Sequence, residues 1–168
     1  MIQAFSTQKL EKACKLLDKP VRSDKHLASV YSHINKNLLK EGKQKLPRKV
    51  KSGWYAKNYD IVFSDEHGQH AVELKSISSS FGKNFNNRIE EMTGQAFLSR
   101  NTLNLRSLSY VFIINETKET VDSKYISRLN DCATILMDLG LLKNFVLLRV
   151  GKSYSCYENK HSFKNWSW

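Results

Sequence analysis

Cysteine, proline and glycine are all scarce in this sequence. Its 168 residues include three cysteines, two prolines and seven glycines. Cys14, Cys132 and Cys156 stand far apart, with no CxxC pair and no histidine at zinc-ligand spacing, which argues against a disulfide framework and a cysteine zinc site. We expect reduced, partly buried thiols.

Linkers and repeats are also missing. No Pro- or Gly-rich segment, internal repeat or low-complexity tract divides the chain. The length suits one domain, and a hydrophobic content of 40% is enough for one core. We therefore predict a single domain over residues 1–168, with a helical N-terminal part over 1–46 and a sheet core over about 47–150.

Two further absences narrow the class of protein. No apolar run reaches the roughly 18 residues that span a bilayer, and the N-terminus has an amphipathic helical pattern rather than that of a signal peptide. The five histidines are scattered, so there is no constellation for an HNH or zinc hydrolase. We expect a soluble protein in the cytoplasm of a prokaryotic-type cell.

The chain has an excess of positive charge. Lys and Arg number 27 against 16 Asp and Glu, a formal charge of +11. Eight of these cations lie between residues 36 and 57, opposed only by Glu41, with Trp54 and Tyr55 nearby. This pattern favours a phosphate-contacting surface just ahead of the motif described below. An ordinary solvated surface is the alternative, because basic runs are common.

Hydrophobic periodicity predicts alternating helices and strands. The order is helices, a hairpin or meander, helix, strand, helix, strand, which indicates an α/β domain with a mixed sheet. Four helices are predicted: over 7–17, from an Asp24 cap to Gly42, from near Asn87 through Phe97, and from Tyr125 to Gly140. Four strands are predicted: Tyr59–Phe63, His70–Ile77, Leu108–Asn115 and Phe145–Val150.

The predicted hairpin brings three charged side chains together. If its turn, within Ser64–Gln69, is centred between Glu66 and His67, Asp60 pairs with Glu73, and their Cβ atoms lie roughly 5 Å apart on one face. Lys75 follows Glu73 by two residues and shares that face. The alternative is an exposed hairpin carrying a surface ion pair of little energetic weight.

Inward-pointing charge on an apolar strand needs compensation, and a divalent cation would provide it. Mg²⁺ prefers oxygen ligands and keeps several waters, so Asp60, Glu73 and the Leu74 carbonyl form a plausible partial shell; Mn²⁺ is a possible substitute. Lys75 would orient or help deprotonate an attacking water and stabilise charge on a phosphoryl group. The chemistry indicated is hydrolysis of a phosphodiester.

The segments that end at Asp60 and begin at Glu73 resemble those of a known family. Residues 73–91, ELKSISSSFGKNFNNRIEE, are similar to the ELKS and SFGNNFNNRxEE signature of XhoI-type restriction endonucleases, which belong to the PD-(D/E)xK superfamily. Residues 53–60, GWYAKNYD, resemble that family's aromatic-rich approach to its catalytic Asp. The likeness is specific between about Gly53 and Glu91, although the order of later elements is also similar.

This resemblance implies a restriction-endonuclease-like core and a type II restriction enzyme within a restriction-modification system. Such an enzyme is a homodimer that cuts both strands of duplex DNA with Mg²⁺ and leaves 5′-phosphates, and a separately encoded methyltransferase is possible. By position, Asp60, Glu73 and Lys75 take the catalytic roles. Tyr59 replaces the common proline, and the shorter chain leaves the recognition sequence open.

The same stretch supplies candidate DNA contacts. Asn can contact adenine edges and Arg can contact guanine or phosphate, whereas a turn with a helix cap is the alternative for Asn86 and Asn87. Glu90 and Glu91 are predicted to open the following helix and are possible partners of Lys75 or the metal. The predicted contacts are Lys49, Lys51, Lys57, Ser76, Lys83, Asn84, Asn86, Asn87 and Arg88.

Two other functions remain open from the sequence. A nuclease with the same chemistry could act in repair, junction resolution or phage defence without sequence specificity. A catalytically silent nucleic-acid-binding module would use the positive surface alone and would not need Asp60, Glu73 and Lys75 in one place.

Overall fold

The computed structural model describes residues 27–52, 55–78, 80–102, 104–116, 120–151 and 156–158. The helix predicted over 7–17 and the Asp24 cap lie outside these ranges. Within them no helix is long and apolar enough to cross a membrane. The elements are α1 (Ala28–Lys40), β1 (Gln44–Lys45), β2 (Lys49–Ser52), β3 (Tyr55–Asn58), β4 (Ile61–Asp65), β5 (Gly68–Ile77), α2 (Phe81–Arg100), β6 (Leu105–Asn115), α3 (Ser123–Asp138), β7 (Asn144–Val150) and β8 (Cys156–Glu158).

Six of the strands form one mixed sheet in the order β1-β4-β5-β6-β7-β8. The central strands β5, β6 and β7 are parallel, and the remaining neighbours are antiparallel. Strands β2 and β3 pair separately as a two-stranded ribbon. The predicted α/β class, with a mixed sheet flanked by helices and the order hairpin, helix, strand, helix and strand, is confirmed.

Both faces of this sheet are buried. One apolar cluster joins the sheet to α2 and α3 and includes Phe85, Met92 and Phe112. A second cluster joins the other face to α1 and includes Ile34 and Val111. This double burial explains why β6 is apolar on both faces, as strands inside parallel sheets usually are.

The β4–β5 hairpin has the predicted register. Ile61 pairs with Val72, which places Asp60 opposite Glu73 when the ladder is extended by one residue. The turn is tighter than the predicted tip, because Asp65 pairs with Gly68 and leaves a two-residue loop. The Asp65 carboxylate accepts the His67 N–H at 2.8 Å, and Gly68 takes a φ of +130° that favours glycine.

Helix α2 begins at Phe81, six residues before Asn87, where the sequence pattern placed its start. Phe81 and Phe85 lie one turn apart and are 3% and 0% exposed, so their burial fixes the first turn on the sheet. The asparagine-rich run is therefore helical and not a turn. Glu90 and Glu91 lie in the middle of the helix, so the prediction that they open it was wrong.

The burial of Phe85 predicts a large effect on stability. Phe85→Ala should lower the free energy of unfolding by about 3–5 kcal/mol, because it leaves a cavity under the first turns of α2. Urea denaturation measures the difference. Phe97→Ala on the same helix is the control, since Phe97 is 52% exposed and its loss should change stability by less than about 1 kcal/mol. Equal effects would contradict the packing described.

Candidate active site

Asp60 lies immediately before β4 and reaches across to β5. Its Oδ2 accepts the Leu74 backbone N–H at 2.8 Å, which holds the carboxylate beside Glu73. Its Oδ1 receives Arg48 Nη2 at 3.1 Å. Arg48 is itself held by the Tyr59 carbonyl, which accepts Nε at 2.8 Å. Asp60 is partly open to solvent, with 27% of its side chain exposed.

Glu73 is the buried carboxylate of the site. Its side chain is 2% exposed and has two cationic neighbours, Lys57 Nζ at 3.0 Å from Oε1 and Lys75 Nζ at 3.5 Å from Oε2. The Lys57 approach does not have hydrogen-bond geometry, so Oε1 is buried without a hydrogen-bond donor. Burial and the Asp60 charge raise the pKa of Glu73 to about 7 against the opposing effect of both lysines. The two lysines therefore compensate the buried charge of Glu73 only in part.

Lys75 is held by a carboxylate from α2. Its Nζ lies 2.7 Å from Glu91 Oε1. Burial alone would lower the pKa of Lys75, but the Glu91 hydrogen bond and the charge of Glu73 outweigh burial and raise it. Lys75 is therefore an ammonium group at neutral pH, which supports charge stabilisation and argues against proton abstraction from water by this residue.

Two side chains bind Glu91 directly, and a third holds one of these two in place. Arg88 Nη1 donates to Oε2 at 2.6 Å, and Gln95 Nε2 donates to Oε1 at 3.1 Å. The Tyr110 hydroxyl donates to Gln95 Oε1 from strand β6. Tyr110 is fully buried, and burial together with the charge of Glu73 raises its pKa far above the usual value. The phenol stays protonated and keeps this chain of contacts in one arrangement.

The predicted DNA contacts fall into two groups. Lys49 and Lys51 are exposed on the β2–β3 ribbon, and Lys83, Asn86 and Asn87 are exposed on the first two turns of α2. The other predicted contacts are engaged within the protein or less exposed: Lys57 contacts Glu73, Arg88 contacts Glu91, and Ser76 and Asn84 are half-buried. Glu90 is exposed, so only Glu91 of the two candidate acids reaches Lys75.

Several site residues were not identified as such by their sequence pattern. Arg48 and Lys57 belong to the basic stretch, but nothing in it shows that they turn inward onto Asp60 and Glu73. Tyr110 pairs with Glu73 in the β5–β6 register, which is a parallel register between distant segments. Strand alternation could have found Tyr110 only if that register had been known.

No family model matches the sequence, and no curated protein matches it. Similar solved structures include SfsA of Pyrococcus furiosus in complex with Ca²⁺, at 17% identity and a TM-score of 0.40 over 80% of this chain. The chain spans 62% of the length of that protein. A fdxN element excision controlling factor protein from Anabaena variabilis is 18% identical at a TM-score of 0.39, over 76% of this chain and 95% of that one.

A third similar structure is a XisH family protein from Nostoc punctiforme PCC 73102. It is 14% identical at a TM-score of 0.37, and the match covers 89% of this chain and 96% of the other. None of these likenesses assigns the chain to a family.

The raised pKa of Glu73 predicts a pH-dependent stability. Between the usual value of 4.5 and about 7, the unfolded state releases this proton while the folded state keeps it, so stability falls as pH rises through that window. Glu73→Gln removes the charge. In urea denaturation with a chelator, the variant should be more stable than the natural protein at pH 8, by on the order of 2 kcal/mol, and equal to it at pH 4.

Glu66→Gln is the matched control, because Glu66 is 84% exposed in the same hairpin and should give no pH-dependent difference. A Glu73→Gln variant less stable than the natural protein at pH 8 would show that the lysines more than compensate the buried charge.

Proposed function

We propose that this protein is a Mg²⁺-dependent DNA endonuclease of the PD-(D/E)xK class, which hydrolyses phosphodiester bonds in duplex DNA and leaves 5′-phosphates. Asp60, Glu73 and Lys75 are the proposed catalytic residues. The single observation that carries the proposal is the meeting of these three groups at one place, with Glu73 buried, Asp60 bonded to the intervening Leu74 N–H and Lys75 within 3.5 Å of Glu73.

The donor set suits a hydrated Mg²⁺ ion. Asp60, Glu73 and the Leu74 carbonyl would hold it. Glu73 Oε1 is buried and accepts no regular hydrogen bond, although Lys57 Nζ lies 3.0 Å away, so the ion would satisfy this oxygen. Among the described residues, no group of three or more His, Cys, Asp or Glu side chains is arranged to hold a metal ion, so two carboxylates, a carbonyl and water would have to suffice, as Mg²⁺ allows. When bound, the ion would supply Lewis-acid polarisation of the phosphate and a more acidic water.

Lys75 then has a defined role. Its ammonium, kept charged by Glu91, donates hydrogen bonds that orient the attacking water and stabilise the charge developing on the phosphoryl oxygens. Glu91 is a positioning residue, since it acts through Lys75. Arg48 pairs with Asp60, and Lys57 pairs with Glu73. The guanidinium and ammonium groups of these two residues suit a polyanionic substrate.

The DNA would lie between the ribbon and α2. Lys57 of the ribbon contacts Glu73, and Arg88 of α2 contacts Glu91, so the catalytic groups lie between these two elements. Lys49 and Lys51 extend the positive surface on one side and Lys83 on the other. Phosphate contacts of this kind position a duplex without reading its sequence.

The type II restriction activity, as a homodimer with a companion methyltransferase, rests on the likeness of residues 73–91 to XhoI-type enzymes. A second candidate is a nuclease of the same chemistry without sequence specificity, acting in repair or defence. It is favoured by the contacts that two predicted DNA-contacting residues make within the protein: Arg88 binds Glu91, and Asn86, although exposed, accepts a hydrogen bond from Arg128 Nη2 at 3.3 Å. A silent binding module is not favoured, because it gives no reason for the buried Glu73.

Digestion of a sequenced plasmid tests the activity. Mg²⁺ should support cleavage and a chelator should stop it, and Glu73→Gln and Lys75→Ala should each lower the rate at least about 100-fold, because each removes a group that stabilises the transition state. Glu90→Gln, an exposed change on α2, is the control and should cleave normally. Discrete fragments indicate sequence specificity and a smear indicates its absence; undiminished cleavage by Lys75→Ala contradicts the proposal.

The positioning role of Glu91 predicts a shifted pH profile. Without its carboxylate, Lys75 should lose its proton at lower pH, so Glu91→Gln should move the alkaline limb of the rate profile to lower pH and reduce the rate about tenfold. The profile of Glu90→Gln should match that of the natural protein. An unshifted alkaline limb in Glu91→Gln would show that Glu91 does not act on the reaction through Lys75.

A further inference from the structure

A cavity of about 840 Å³ lies at the other end of the parallel strands from Glu73. It is formed where β5 and β6 begin and where α2 and α3 end, and its volume is within the usual range for small-molecule sites. Along β5, His70 in the cavity wall precedes Glu73 by three residues, roughly 10 Å of strand, and no catalytic residue proposed above lines the cavity. The cavity is therefore separate from the proposed nuclease site.

The cavity wall has an apolar part and a cationic part. Leucines and a methionine from β6, α3 and the segment after α3 provide the apolar surface, including Leu108 and Met137. Arg100, Arg106 and Lys143 add positive charge, and all three are exposed. Among the residues that the structure describes, neither Asp nor Glu lines the cavity, so no carboxylate of that set offsets these cations within the wall. Such a wall suits a ligand that is anionic at one end and apolar at the other.

Two side chains in another part of the wall, His70 and Ser107, belong to a fixed chain of polar contacts. Ser107 Oγ lies 2.7 Å from His70 Nδ1, and His70 Nε2 lies 2.9 Å from Asp65 Oδ1. Lys43 completes the chain at 3.0 Å from Asp65 Oδ2, and only 7% of the His70 side chain is exposed. His70 is thus hydrogen-bonded at both ring nitrogens, and the Ser107 hydroxyl beside it keeps further hydrogen-bonding capacity for a ligand. The polar groups are thereby held in one orientation.

We propose that this cavity binds a nucleotide, either free or at the 5′-phosphorylated end of a DNA strand. The phosphate would lie against Arg106 and Lys143, and the base against the leucines and Met137, within reach of Ser107. The apolar part of the wall offers nothing to a continuous run of phosphates, which Lys and Arg bind. The planar base accounts for the apolar half of the wall, and the phosphate for the cations.

Titration calorimetry with deoxyadenosine 5′-monophosphate tests the proposal. A chelator is present throughout, so that the proposed nuclease site is inactive. The monophosphate should bind, and Arg106→Gln and Lys143→Gln should each weaken binding about tenfold, since each removes a charge-assisted contact. Both positions are exposed, so the variants should keep the melting temperature of the natural protein.

Two controls separate this site from general charge and from the nuclease. Lys36→Gln, an exposed change on α1, should leave the affinity unchanged, and so should Glu73→Gln. Binding that survives Glu73→Gln in a protein without nuclease activity would support the cavity even if the proposed function failed. DNA cleavage by a protein that does not bind the nucleotide would overturn the proposed nucleotide site and leave the proposed nuclease function standing.

Three further ligands complete the test. Inorganic phosphate and deoxyadenosine should each bind at least about tenfold more weakly than the monophosphate, because each satisfies one half of the wall. A 5′-phosphorylated oligonucleotide that binds more tightly than the monophosphate, and loses affinity in Arg106→Gln, identifies the DNA end as the source. Equal affinity for phosphate and the monophosphate, or unchanged affinity in both cavity variants, overturns the proposal.

Discussion

The rest of the site depends on one costly feature, the burial of the Glu73 carboxylate beside Asp60. The Glu73 side chain is 2% exposed, and its burial and the Asp60 charge raise its pKa. The ionised carboxylate therefore destabilises the folded state at neutral pH. Lys57 and Lys75 approach it, yet one oxygen has no hydrogen-bond donor. A purely structural role would be met more cheaply by an apolar residue of similar size. The proposed divalent cation would compensate the charge of this buried carboxylate.

The fold creates this situation through three constraints. The hairpin register brings Asp60 opposite Glu73, strand alternation puts Lys75 on the same face, and α2 lies across that face with Glu91. The position of Glu91 follows from Phe81 and Phe85, whose burial fixes where α2 begins. Packing in the core and polar contacts in the site thus specify the same helix placement, which is what a well-defined site requires.

Local patterns were enough to predict much of this structure. The symmetric spacing of Asp60 and Glu73 about the Glu66–His67 turn fixed the register, and the continuous apolar run of β6 indicated a buried central strand. The start of α2 was mispredicted because asparagine favours turns, whereas the burial of Phe81 and Phe85 overrides that local preference. The inward turn of Lys57 and the cavity at His70 depend on contacts between distant segments, which single-sequence periodicity does not encode.

The claim that Asp60 and Glu73 share a metal ion is tested most directly by crystals soaked in Mn²⁺, whose anomalous scattering marks the ion. The account predicts one peak between the two carboxylates, about 2.0–2.3 Å from an oxygen of each. That peak should be absent from the Glu73→Gln variant. A map without a peak at this place, with Lys57 Nζ still 3.0 Å from Glu73 Oε1, would contradict it.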